Sequence, residues 1–271
     1  MITATPTPYA DLNTVLAELV AGVREALGEN LIGIYLQGSF AVGDFDRDSD
    51  VDFLVVLRRD LFEGELAAVQ ALHGRIYDRA NPWAKHLEGS YIPMEALRWY
   101  APTGDATLWY LDNCSRELIR SDHDNTQVVR WVVRERGIPL VGPDPRTLIE
   151  PVTGNALRQE VRAVMRHWAA LLFAEPGQMN NRWYQPFAVL SYCRMLQTLE
   201  TGTVESKPAS ACWAQQTLAP EWAGLIQRAW NERPDPSRKV TQTADPDDVR
   251  ETLAFIRYAL ERGGVGGAST A

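Results

Sequence analysis

Two aspartates stand one residue apart where a loop runs into an apolar stretch, in the segment DRDSDVDFLVVL. If residues 51–57 form a strand, residues two apart point to the same face, so Asp50 and Asp52 lie side by side. Neighbouring carboxylates repel each other, and burying either one is unfavourable unless a cation compensates for the charge. Carboxylates combined with substrate phosphates are the ligands that Mg²⁺ prefers. The alternative is a solvated strand start, because DRDSD also has the composition of a turn.

A glycine–serine pair precedes these aspartates, with Ser39 eleven residues before Asp50. A glycine where a strand turns into a helix lets backbone N–H groups approach an anion, and a serine hydroxyl adds a donor. The sequence has neither the G-x-x-x-x-G-K-[ST] pattern of a P-loop nor the G-x-G-x-x-G pattern of a dinucleotide site. Gly38-Ser39 followed by Asp-x-Asp therefore predicts another kind of triphosphate site, one that also holds metal.

The elements that must position these residues form two kinds of pattern. In the first half, helical periodicity alternates with short apolar runs, which predicts an α/β domain with helices packed on a mixed sheet. The predicted elements are a helix over 11–28 capped by Gly28, strands over 31–37, 51–57 and 87–92, a helix or turn over 39–44, and helices over 65–79 and 126–137.

After the turn LVGPDP the pattern becomes almost wholly helical, which predicts an all-α helical bundle domain. Its predicted helices cover 156–174, 186–200, 208–218, 221–231 and 247–262. The closing segment GGVGGASTA is typical of a flexible linker. We therefore divide the chain into residues 1–153, residues 154–262 and a flexible tail at 263–271.

Composition narrows the class of protein. Apolar residues make up 45% and charged residues 23% of the 271 residues, the balance of a soluble globular enzyme. The net charge of −8 argues against a nucleic-acid partner and suits a cationic small substrate. No apolar run is long enough to span a membrane, and the first 30 residues lack a basic start followed by an apolar signal core, so we expect no export. The three cysteines are sparse and lack metal spacing, so we expect reduced thiols and a cytoplasmic protein.

The motif resembles the signature of the polymerase-beta-type nucleotidyltransferases. The residues that carry the resemblance are Gly38, Ser39, Ser49, Asp50 and Asp52. The likeness continues through LVGPDP into the helical half, where LSYCRMLQTLETGTVESKP is similar to the aminoglycoside adenylyltransferases that modify streptomycin and spectinomycin. This resemblance covers nearly the whole chain.

The resemblance implies Mg²⁺-dependent transfer of AMP from ATP to a hydroxyl of a small cationic acceptor. In such a reaction Asp50 and Asp52 would hold the metal, with two ions expected, and Gly38, Ser39 and Ser49 would lie at the nucleotide. Glu88, in KHLEGSYIP, matches the catalytic base of the family, and it could also ligate metal. The alternative for Glu88 is an ordinary solvent-facing strand residue.

Further nucleotide contacts are implied in the helical half. Arg194 and Lys207 stand thirteen residues apart, the same spacing as two phosphate-binding residues of the family. Trp230 occupies approximately the place of an aromatic residue that stacks on adenine. Core packing is the alternative for Trp230, and surface exposure is the alternative for Arg194.

The acceptor site is less well defined by the sequence. The family carries acidic residues just before the helix with the matched arginine, whereas this chain has no acid between Gly177 and Arg194. Trp109 matches a drug-contacting tryptophan, and Asp122 and Asp124 in RSDHDNTQ could face a cation or the metal. The alternative for this stretch is N-capping of the helix that follows it.

Two other classes of function stay open at this stage. One is a nucleotidyltransferase that modifies a protein hydroxyl, as antitoxin-like members of the superfamily do. The other is a non-catalytic nucleotide-binding module, which the presence of Asp50, Asp52 and Glu88 argues against. In each case we expect a monomer with no nucleic-acid or membrane partner.

Overall fold

The first unit, Met1–Val152, combines helices and strands in the computed structural model, which describes residues 5–100, 108–233 and 236–265. Its helices and strands are α1 (Ala10–Leu27), β1 (Leu31–Leu36), α2 (Gly38–Val42), β2 (Val51–Leu57), α3 (Glu63–Tyr77), β3 (Leu87–Pro93), α4 (Met94–Arg98), β4 (Leu108–Leu111), β5 (Leu118–Ser121), α5 (Gln127–Arg136) and β6 (Ile138–Val141). Short 3-10 helices cover Gly28–Asn30, Pro82–Lys85 and Pro145–Thr147.

The strands form one sheet in the order β5-β4-β3-β2-β1-β6. Strands β2 and β3 pair in parallel, whereas the other neighbouring pairs are antiparallel. The α/β class with a mixed sheet is thus confirmed. Strands β1, β2 and β3 fall where the sequence predicts them, and the four-residue strands β4, β5 and β6 were not predicted.

Both faces of the sheet are covered. On the α1 face, apolar residues of α1 and α3 pack against Phe53, Val55 and Leu57 of β2. On the opposite face, called the α5 face, Leu54 and Val56 pack with residues that include Val133 of α5. Because side chains alternate along a strand, Asp52 belongs to the α5 face.

The second unit, Thr153–Ala271, contains helices and no strand within its described residues. Its α-helices are α6 (Gly154–Ala174), α7 (Tyr184–Thr201), α8 (Lys207–Thr217), α9 (Ala223–Glu232), α10 (Pro236–Lys239) and α11 (Pro246–Arg262), with 3-10 helices at Pro176–Met179 and Pro220–Trp222. Helix α7 contacts α6, α8, α9 and α11, and it contributes Val189, Tyr192, Cys193 and Leu196 to the buried interior. The predicted all-helical second half is confirmed.

The chain end departs from the predicted tail at its first residues. The Gly263 amide donates to the Ala259 carbonyl, and the Val265 amide donates to the Leu260 carbonyl at 2.8 Å. Val265 is buried, so packed structure extends to this residue. The rest of the predicted tail, residues 266–271, lies outside the described residues.

None of the helices in the described residues combines the length and apolar character needed to cross a membrane.

Candidate active site

The turn from β1 into α2 brings the backbone of Gly38 against the side chain of Asp52. Gly38 has φ +55°, a conformation that residues with a Cβ rarely adopt. A Cβ on Gly38 would lie 2.5 Å from Asp52 Cγ, and nearer still to Asp52 Oδ2. The neighbouring Gln37 amide donates to the Asp52 carbonyl at 2.9 Å. Glycine is therefore required here both by the backbone conformation and by the approach of the carboxylate.

The residues before β2 have two different surroundings. The Ser49 hydroxyl accepts from the Asp46 amide at 2.9 Å and donates to Asp46 Oδ1 at 3.2 Å, which closes the turn ahead of the strand. Asp50 accepts a hydrogen bond from Asn113 Nδ2 at 2.5 Å. Asn113 Oδ1 in turn lies 3.2 Å from His86 Nδ1. The turn after β4 thereby orients the first aspartate of the motif.

Glu88 is the partner of Asp52 in the parallel register of β2 and β3. Both side chains therefore start on the α5 face of neighbouring strands. The Glu88 side chain is 18% exposed, so it is accessible from solvent. Its Oε1 accepts from the Tyr110 hydroxyl at 2.6 Å and lies 3.6 Å from His123 Nε2.

Electrostatics make Glu88 a weaker acid than an ordinary glutamate. Burial raises the pKa of Glu88, and the negative charges of Asp50 and Asp124 act in the same direction. The hydrogen bond from Tyr110 and the proximity of His123 lower the pKa of Glu88 in part. A carboxylate whose pKa is raised is a better proton acceptor near neutral pH.

Asp124 is buried, and its charge acts on Glu88. Its Oδ2 accepts from the Ser90 hydroxyl at 2.7 Å, and its carboxylate also bonds to the Gln37 side chain. Burial raises the pKa of Asp124, and these two hydrogen bonds lower it in part. The buried carboxylate thus joins β3, the strand that carries Glu88, to the residue that follows β1.

A buried arginine holds the loop that carries Asp124. Arg130 of α5 donates from Nη2 to Asn125 Oδ1 at 2.7 Å and from Nε to the Leu97 carbonyl at 3.0 Å. The residue that caps α5 is Thr126, whose hydroxyl accepts from the Val129 amide. Capping of this helix therefore does not use the carboxylates of Asp122 and Asp124.

The carboxylates can be compared with the needs of a metal ion. Within the described residues, no three side chains of His, Cys, Asp or Glu are grouped closely enough to hold a metal ion as they stand. The chemistry of Asp50, Asp52 and Glu88 does fit Mg²⁺, because all three supply oxygen and the charge of Asp50 disfavours ionisation of Glu88. A divalent cation would offset this repulsion.

The predicted nucleotide contacts of the helical half lie in the second unit. Arg194 of α7 donates from Nε to the carbonyl of Glu205, two residues before Lys207. Lys207 is the first residue of α8, capped by Ser206, and its Nζ lies 5.8 Å from the centre of the Phe187 ring. Trp230 of α9 is half-buried, and the Arg233 guanidinium lies over its ring at 5.4 Å. Arg194 is thus held beside the loop that leads to Lys207.

The predicted acceptor residues have different surroundings. Trp109 packs on the α1 face, opposite to Glu88, and the Arg120 guanidinium lies 4.2 Å from the centre of its ring. Asp122 is exposed in the loop after β5, where its carbonyl accepts from the Asn125 amide. Among the predicted acceptor residues, Asp124 is close enough for its charge to raise the pKa of Glu88, whereas Trp109 lies on the opposite face of the sheet.

Sequence reasoning missed Tyr110 and Asn113. Tyr110 belongs to β4 and Asn113 to the turn after it. Strand β4 has only four residues, and its partner β3 is distant in sequence. In that pairing Tyr110 is opposite Ser90, which puts it diagonal to Glu88 on the same face. The run of apolar and aromatic residues in LWYL was the available signal, but four residues are too few to predict a partner strand.

Comparison with known proteins agrees with this architecture. A family profile described as "Nucleotidyltransferase domain" matches residues 16–88, and one described as "Aminoglycoside adenylyltransferase, C-terminal domain" matches residues 147–261. Together the two profiles cover more than half of the chain.

Individual relatives carry related names. A spectinomycin 9-adenylyltransferase of Staphylococcus aureus is 26% identical, with 76% of this chain and 79% of that protein covered. An aminoglycoside (3'') (9) adenylyltransferase of Shigella flexneri is 21% identical, with 81% and 84% covered. The crystal structure of a spectinomycin adenyltransferase from Enterococcus faecialis with ATP and spectinomycin has the same fold, with a TM-score of 0.65 and 15% identity over 92% of this chain and 98% of that one.

The mixed sheet, its paired carboxylates and the matched domain define a nucleotidyltransferase, which is an enzyme. The helical second unit narrows the class further. The chain is similar to the aminoglycoside adenylyltransferases, and its second unit matches their C-terminal domain.

Proposed function

We propose that this protein transfers AMP from ATP to a hydroxyl group of a small cationic antibiotic of the spectinomycin or streptomycin type, with Mg²⁺ as the metal. The observation that carries the proposal is the parallel register of Asp52 and Glu88, which puts a motif aspartate and a candidate base on adjacent strands. The names of the relatives support the donor and the class of acceptor.

Glu88 acts in this proposal as the base. It accepts the proton of the acceptor hydroxyl while that oxygen bonds to the α-phosphorus of ATP and pyrophosphate leaves. The raised pKa of Glu88 supports the assignment, because proton transfer is most effective when the pKa of the base is close to the working pH.

Asp50 and Asp52 are the proposed metal ligands, with Glu88 available as a third and two ions expected. When bound, Mg²⁺ supplies positive charge that stabilises the phosphates of ATP. Within the described residues, these carboxylates must turn or be joined by phosphate oxygens before they can enclose an ion. The turn at Gly38 and Ser39 is proposed to offer backbone and hydroxyl donors to the phosphates, with Ser49 supporting the turn before β2.

Arg194 and Lys207 are proposed to neutralise the charge of the phosphates, and Trp230 to stack on the adenine. Asp122 is retained as a proposed acceptor contact because it is exposed. For Asp124 we propose a supporting role instead, since its carboxylate is buried and bonded to Ser90 and Gln37. We do not extend the acceptor proposal to Trp109, which lies on the opposite face of the sheet.

The test is a panel of aminoglycosides incubated with each nucleoside triphosphate and Mg²⁺, followed by mass spectrometry. We expect one antibiotic of the spectinomycin or streptomycin type to gain a single AMP unit from ATP, and we expect EDTA to stop the reaction. Labelled ATP added to a cell lysate distinguishes the alternative, because label on protein with none on any antibiotic would contradict the proposal. If no AMP is transferred to any antibiotic or protein, the remaining alternative is a non-catalytic nucleotide-binding module.

Glu88→Gln tests the assignment of the base. We expect kcat to fall by about 10² to 10⁴, with ATP affinity unchanged, because a base acts on the acceptor and not on the nucleotide. Glu95→Gln is the matched control, since Glu95 is exposed in the helix that follows β3. Equal weakening of ATP binding by Glu88→Gln would assign Glu88 to the metal alone.

A further inference from the structure

The phenol of Tyr110 lies beside Glu88 and has no role in the proposed reaction. Tyr110 is buried on the α5 face of β4, with a relative exposure of 5%. Its hydroxyl lies 2.6 Å from Glu88 Oε1 and 3.2 Å from Asp112 Oδ1. A phenol has one proton to donate, and the shorter distance gives it to Glu88.

We propose that Tyr110 is a positioning residue that fixes the carboxylate of Glu88 through Oε1 and leaves Oε2 to take the proton of the acceptor hydroxyl. This inference rests on the proposed function, because it takes Glu88 as the base. Within residues 5–100, 108–233 and 236–265, the carboxylate accepts its one hydrogen bond at Oε1 and none at Oε2.

The surroundings of Tyr110 make it a rigid support. Its ring stacks on the His123 ring with centroids 4.9 Å apart. Strand pairing fixes its backbone, because Ser90↔Tyr110 is a register pair of β3 and β4. A side chain held on two sides loses little further entropy when it bonds to Glu88, so the hydrogen bond restricts Glu88 and not the tyrosine.

The direction of the expected effect separates positioning from basicity. A donated hydrogen bond lowers the basicity of a carboxylate, so its removal should make Glu88 a stronger base. If basicity alone set the rate, Tyr110→Phe would be as fast as the parent or faster. If Tyr110 positions Glu88, the same change slows the reaction.

The experiment is a double-mutant cycle on AMP transfer to the antibiotic that the panel identifies. We expect Tyr110→Phe to lower kcat by about 10-fold, with the KM for ATP unchanged, in line with the loss of one hydrogen bond to a charged group. In the Glu88→Gln background we expect the second change to alter kcat by less than about 2-fold, because Tyr110 acts only through Glu88.

Tyr91→Phe is the matched control. Tyr91 lies on the same strand as Glu88 but on the α1 face, where its hydroxyl is 2.8 Å from His73 Nε2. It removes a buried phenol hydroxyl without touching Glu88, so it should lower the melting temperature and leave kcat unchanged. A general loss of folded protein from Tyr110→Phe would appear equally in both backgrounds of the cycle, whereas a positioning effect appears only with Glu88 present.

The outcomes separate the two proposals. An unchanged or higher kcat for Tyr110→Phe, or an equal loss in both backgrounds, overturns the role of Tyr110 and leaves Glu88 as base. A Glu88→Gln variant with the kcat of the parent overturns the proposed base itself.

Discussion

At the level of single residues, the repulsion between neighbouring carboxylates distinguishes a functional role of Asp50 from a structural one. The charge of Asp50 raises the pKa of Glu88, which means that each carboxylate disfavours ionisation of the other. Asp50→Asn removes this repulsion and keeps an Oδ1 that can accept from Asn113. We expect the variant to lose Mg²⁺-dependent turnover and to be at least as stable as the parent in EDTA, as measured by urea unfolding.

Asp48→Asn is the control for this substitution, because Asp48 is exposed in the same turn. It should change neither activity nor stability. A loss of more than about 1 kcal/mol in the free energy of unfolding of Asp50→Asn in EDTA would give Asp50 a structural role and contradict its assignment to metal.

At the level of secondary-structure elements, the packing of α3 on β2 and β3 depends on a buried neutral histidine. His73 of α3 stacks on Phe53 at 5.8 Å and pairs with the Tyr91 hydroxyl. Burial lowers the pKa of His73 to about 3. The unfolded chain takes up a proton at His73 below about pH 6.5, whereas the folded chain does not, so acid favours unfolding from pH 6.5 down to about 3.

His73→Gln should remove this contribution. We expect the variant to be less stable than the parent at pH 7.5, because the glutamine packs less well, and the difference to shrink as the pH falls from 6.5 to 4. The slope of stability against pH should decrease by up to about 1.4 kcal/mol per pH unit. Urea unfolding across this range measures it. His167→Gln, at an exposed histidine of α6, should leave the slope unchanged, and a pH-independent difference for His73→Gln would contradict the prediction.

The lengths and patterns of the elements explain which of them could be predicted from the sequence. Helix α1 and strands β1 to β3 could be predicted because they have clear periodicity or long apolar runs. The motif could be predicted from the spacing of Gly38, Asp50 and Asp52. Strands β4, β5 and β6 have four residues each and owe their conformation to partners distant in sequence. Tyr110 lies on β4 and Asn113 lies just after it. Their contacts with Glu88 and Asp50 could not be predicted because the strand itself was not predicted.

At the level of the whole molecule, Lys207 is a proposed phosphate contact of the second unit. Arg194 and Lys207 belong to the second unit, whereas Gly38, Asp50 and Asp52 belong to the first. We expect Lys207→Ala to raise the KM for ATP by about 10-fold, because a charge-assisted hydrogen bond to phosphate is lost. The free energy of unfolding should change by less than about 1 kcal/mol.

Steady-state kinetics at varied ATP provide the measurement for Lys207→Ala. Lys239→Ala is the control, since it removes the same charge from the same unit at a lysine that pairs with Glu232. An unchanged KM for ATP in Lys207→Ala would remove Lys207 from the nucleotide site.

The crowding of Gly38 against Asp52 has a consequence at the level of the gene. All glycine codons share the same first two bases, and any change in either base yields a stop codon or a residue with a Cβ. At φ +55° such a residue is strained, and its Cβ overlaps the Asp52 carboxylate. The codon for Gly38 can therefore vary silently at its third base, while each single-base missense change displaces a carboxylate of the metal motif.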